Sequence, residues 1–167
     1  MASLVTLLVY CQALGASVGA FSAVWSEVAY VRAMRDGKVD EAERAHLHVI
    51  ARALRWGMSL VLLSSLGLVI VAYLLQTAYQ PAFSASYWTL IVLALIVILV
   101  SRALSRKTVS FALGSAVVFT AWWFLAYLAL GSLPVLSFSS AAAFFVVATA
   151  IFYAVLGYAR MLVLRKR

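Results

Sequence analysis

The chain has 167 residues, of which 66% are hydrophobic and only 11% charged, with a mean hydropathy of +1.07. Soluble domains run near ~45–50% apolar and ~25% charged, and a globule of this size has too much boundary to hide such an excess. That excludes a soluble enzyme and a disordered chain and leaves a polytopic membrane protein, in which the placement of the +8 net charge matters more than its size and no nucleic-acid partner is expected.

In chain order, apolar stretches long enough to cross a ~30 Å hydrocarbon layer as helices fall at 4–26, 57–75, 87–104, 109–130 and 138–163. Their backbones must satisfy their own hydrogen bonds in lipid, which requires helices, and no period-2 alternation suggests a barrel. The expected fold is therefore an all-α integral membrane protein. It forms a single membrane domain over 1–167, with five transmembrane helices, the first two extended as a cytoplasmic helical hairpin over 27–56. The first stretch lacks a basic leading region and is read as a span, not a cleaved leader. Cys11 is the only cysteine, so an intrachain disulfide and a thiolate zinc site are excluded.

The charges orient this arrangement. Six basic residues lie between spans one and two, three between spans three and four (Arg102, Arg106, Lys107), and four at the end (Arg160, Arg165, Lys166, Arg167). All five acids, Glu27, Asp36, Asp40, Glu41 and Glu43, lie in the first connection, and the other two connections are uncharged. With five crossings, every charged side chain falls on one face, which the positive-inside rule makes cytoplasmic. The expected protein is multi-pass in the cell (inner or plasma) membrane, with its N-terminus outside and its C-terminus inside. Aromatic residues fit both interfaces: Trp25, Tyr30, Trp56 and Tyr158 on the inner side, Tyr79, Phe83, Tyr87 and Trp88 on the outer. Trp122, Trp123 and Tyr127 lie deeper, at positions suited to packing between helices.

Residues 27–56 form the one long polar segment. Asp36-Gly37 is a turn signal, and Asp40 with Glu43 three residues on resembles a capping box opening a second arm. On that arm Glu41, Arg44, His48, Arg52 and Arg55 share one face, while Val39, Ala42, His46, Val49 and Ala53 share another. His48 is thus expected outward and His46 inward. Folding the arms back about residue 37 brings Glu27 near His46, with Glu43 in reach. A carboxylate at the end of a span is costly unless paired or wet. Such a group reads as a clamp between two helices. It also reads as a proton or metal site, because imidazole with carboxylate suits a divalent metal such as Zn²⁺, Mn²⁺ or Fe²⁺.

Gln12, Gly15, Gly19, Ser22 and Ser26 step by three or four along span one and include a GxxxG. This stripe is either a close helix–helix seam or one wall of a polar pathway leading to Glu27. No span is broken at mid-membrane, no acid sits at the bilayer centre, and no lysine lies inside a span. The expected function is a small cation or metal-ion transport or channel protein acting through Glu27, His46 and Glu43. The alternative is a non-catalytic accessory or scaffold subunit, homo-oligomeric or joined to a partner membrane protein. In that reading Arg52, Arg55, Arg106, Lys107, Arg165, Lys166 and Arg167 meet lipid headgroups or the partner.

Overall fold

A computed structural model describes residues 2–36, 41–76, 80–131 and 137–165. Helices account for nearly all of them: α1 (Ala2–Asp36), α2 (Glu41–Leu74), α3 (Ala85–Ser105), α4 (Phe111–Ala129) and α5 (Phe138–Arg165), with a 3₁₀ turn at Pro81–Phe83 before α3. No strand occurs among the described residues. All five helices are long and apolar enough to cross a membrane. The ends of α3, α4 and α5 fall within about two residues of the expected spans, whereas α1 and α2 run on without a break. At 35 and 34 residues they reach about 50 Å, well beyond a ~30 Å hydrocarbon layer. The expected turn at 37–40 and the Asp40 cap lie outside the described residues.

Local chemistry explains the elements. Pro81 sits at the start of the 3₁₀ turn, where it interrupts no α-helix, and Ser84 caps α3 by accepting the Tyr87 N–H at 3.2 Å. Two buried hydroxyls inside the apolar helices donate back to their own backbone, Ser65 to the Val61 carbonyl at 2.6 Å and Thr120 to that of Ala116 at 2.8 Å. No water is needed to satisfy them.

α4 is the shared helix: α1, α3 and α5 all pack on it, whereas α2 packs chiefly on α1. Its Trp122 and Leu125 are fully buried, against Ala16 and Ala20 of α1 and Leu93 and Ala94 of α3 in one apolar core. Of the three aromatic residues expected to pack between helices, Trp122 is buried, Trp123 is half-buried and Tyr127 is exposed. α5 is the least covered helix, with most of its span open to the surroundings.

Backbone approach sets the α1–α2 and α1–α4 contacts. A Cβ on Gly15 would lie 2.7 Å from the Gly57 carbonyl oxygen, and one on Gly19 would lie 2.0 Å from the Trp122 ring. With little hydrophobic drive between helices in lipid, this kind of contact supplies much of the packing energy. Gly157 of α5 differs, because a Cβ there meets nothing within 4 Å. Gly19→Ala is therefore expected to destabilise the protein by about 1–3 kcal/mol, as overpacking does. Gly157→Ala should fall within about 0.5 kcal/mol of the parent, as open positions do. Thermal unfolding of both variants in one detergent checks the contrast.

Candidate functional site

At the end of the bundle where α1, α3 and α5 finish and α2 and α4 begin, one ionic cluster is buried. Arg160 of α5 reaches inward and donates from Nη2 to the Glu27 carboxylate at 2.6 Å and to the Ser115 hydroxyl of α4 at 2.7 Å. Both partners of the ion pair are largely shielded, Arg160 retaining 14% and Glu27 12% of their side-chain exposure. The guanidinium also lies over two rings, 5.2 Å from that of Tyr30 and 5.3 Å from that of Phe111. Those rings stack on each other with centroids 3.9 Å apart. One side chain of α5 thus holds α1 and α4 through an ion pair, a hydrogen bond and two cation–π contacts. The shielded Nε–H of Arg160 has no acceptor.

The structure does not bring Glu27 and His46 together. His46 instead accepts a hydrogen bond from the Trp25 indole N–H, the two rings lying 5.7 Å apart. The reason is rotational: residues two apart on a helix point ~200° from each other, so when Trp25 faces α2, Glu27 turns towards α4 and α5. His46 and His48 are both exposed. The side chain of Glu43 lies outside the described residues, and among the described ones no group of three or more His, Cys, Asp or Glu is gathered. The Arg160 guanidinium already occupies the Glu27 carboxylate, so a cation bound there would have to displace it or share the carboxylate with it.

The small-residue stripe of α1 is packed on its neighbours. Gly15 abuts Gly57 and Leu60, Gly19 abuts Trp122, and Gln12 donates from Nε2 to the Ser65 hydroxyl at 2.8 Å. Ser22 and Ser26 are half-buried further along the same face. Among the basic residues named above, Arg52 and Arg55 line a notch of about 360 Å³ with Trp56 and Ser59, and Arg106 and Lys107 are exposed after α3. The side chain of Arg165, and Lys166 and Arg167, lie outside the described residues.

Sequence reasoning missed Arg160, Ser115 and the Tyr30–Phe111 stack. The signal for Arg160 was present: it is the one basic residue inside the apolar stretch 138–163, as Glu27 is the acid nearest to a span. A second cavity, of about 470 Å³, opens beside this pair between α1 and α5, walled by Val28, Val31, Phe119, Leu156 and Val163 and edged by Glu27, Arg32 and Arg160. Comparison of the chain with family models, curated proteins and solved structures finds no match.

Removing one member of a buried pair leaves the other charge uncompensated, which costs about 3–5 kcal/mol, whereas replacing both is often close to neutral. Arg160→Met is expected to destabilise the protein by that amount, and Glu27→Gln combined with Arg160→Met to recover most of the loss. A double-mutant cycle of unfolding free energies in detergent reads the coupling.

Proposed function

We propose that this chain is a non-catalytic accessory or scaffold protein of a membrane assembly. The observation carrying this reading is that Glu27 is committed to Arg160, itself held by Ser115, instead of standing free in a conduit. Three members of the stripe that would lead to it, Gln12, Gly15 and Gly19, are likewise taken up in contacts with Ser65, Gly57, Leu60 and Trp122. What remains outward is the open flank of α5 and the basic end of the bundle, surfaces for neighbours in the bilayer. The confinement of side-chain charge to one end supports placing that end in the cytoplasm, the N-terminus outside, and the protein in the cell membrane. The same placement supports a cytoplasmic hairpin formed by the projecting parts of α1 and α2.

A rival reading, cation or metal-ion transport through Glu27, His46 and Glu43, draws on the cavity that opens beside Glu27. It requires Arg160 to release the carboxylate. Reconstitution into vesicles separates the two. The accessory reading expects proton and divalent-cation flux no higher than in protein-free vesicles, with Glu27→Gln and His46→Ala leaving that baseline unchanged. Flux through the parent protein that either substitution abolishes would establish the transport reading in its place.

A further inference from the structure

The cavity between α1 and α5 has a shape and a charge that the scaffold reading does not use. Both helices lean on α4 and touch each other little, so they diverge and leave a wedge whose floor is Phe119. Its volume of about 470 Å³ lies within the ~300–1,000 Å³ range of ligand sites. The walls are almost wholly apolar, and an apolar void of that size forfeits dispersion contacts unless something fills it. At its edge stand two guanidinia, Arg32 and Arg160, against one carboxylate, Glu27. Arg32 is exposed. Arg160 is held rigidly by Glu27, Ser115 and the Tyr30–Phe111 stack, and both of its hydrogen bonds leave from Nη2.

We propose that this wedge binds an anionic phospholipid. One acyl chain lies between Val28 and Leu156 over Phe119, and the phosphate accepts hydrogen bonds from Arg32 and from the exposed edge of Arg160. The charge balance favours this occupant: among the described residues the edge carries one net positive charge, which a singly anionic headgroup neutralises and a zwitterionic one does not. The position fits as well, because the edge lies at the end of the bundle that carries the connections rich in Arg and Lys. Polar headgroups are found at that level, while the apolar walls extend along both helices into the span.

Native mass spectrometry of the delipidated full chain, titrated with phosphatidylglycerol or phosphatidylcholine, tests the site. One net guanidinium near the surface should favour phosphatidylglycerol by about fivefold. Arg32→Ala should bring the two lipids to near parity, Ala159→Trp should fill the wedge and remove the tight lipid, and Arg102→Ala, an exposed basic residue away from the wedge, should leave the preference unchanged. Equal retention of both lipids by the parent protein would overturn the proposal. So would loss of the preference through Arg102 and not through Arg32, which would mark loose attraction to the basic surface. Dissociation of a second copy or a partner helix by Ala159→Trp, with lipid retention unchanged, would also overturn it. Each of these readouts is independent of cation flux, so the lipid site and the scaffold reading fail separately.

Discussion

The arrangement of this bundle turns on one guanidinium held inside an apolar interface. Arg160 cannot rest against α1 and α4 uncompensated, because an unpaired charge in that setting costs several kcal/mol. Glu27 supplies the countercharge from 133 residues away in sequence, Ser115 a hydroxyl acceptor, and Tyr30 with Phe111 a π surface. These groups come from three helices, so satisfying the charge fixes the rotation of each about its own axis. The consequence is greatest for α5, which otherwise rests on α4 with most of its span uncovered.

α1 mediates between this tie and the rest of the fold by serving two neighbours on two faces. Gln12, Gly15 and Trp25 meet α2, while Ala16, Ala20, Glu27 and Tyr30 meet α4 and α5. Gly19 lies at the boundary, close to Gly57 and under Trp122. Alanine and glycine dominate both faces because a helix between two others needs close backbone approach on each side. That also explains why span one shows little amphipathic signal: each face carries both small apolar and polar residues, Gln12 towards α2 and Glu27 towards α5.

This division explains what could be read from the chain and what could not. Spans depend on local hydropathy, so their number and approximate ends were legible. Folding back about residue 37 places Trp25 at the level of His46 and Gly15 near that of Gly57, so the axial register of α1 on α2 was legible too. The rotation of α1 was not. Facing Glu27 or Trp25 towards α2 changes the register little but exchanges the partners, and nothing nearby in sequence decides between them. The decision comes from Arg160, whose contact with α1 depends on three intervening helices. A basic residue inside the last apolar stretch and an acid just past the end of the first are the one hint of it, and hydropathy treats both as mere ends of spans.

The chemistry of the tie also explains why arginine suits position 160. A lysine ammonium is a compact, strongly hydrated point charge; it could pair with Glu27 but lacks the delocalised group whose centre lies 5.2 and 5.3 Å from the two ring centroids. The planar guanidinium does these together, with its stem buried and its charge spread over several donors. Among the described residues only Nη2 meets protein acceptors, and Nε is shielded without one, so within them the group is anchored but not saturated. An anchored, unsaturated cation beside an apolar wedge, with the exposed Arg32 on the same edge, ties the packing of the bundle to the chemistry of the lipid around it. The clamp and the recognition surface then share a residue, and the orientation that stabilises α5 is also the one that presents positive charge to the headgroup layer.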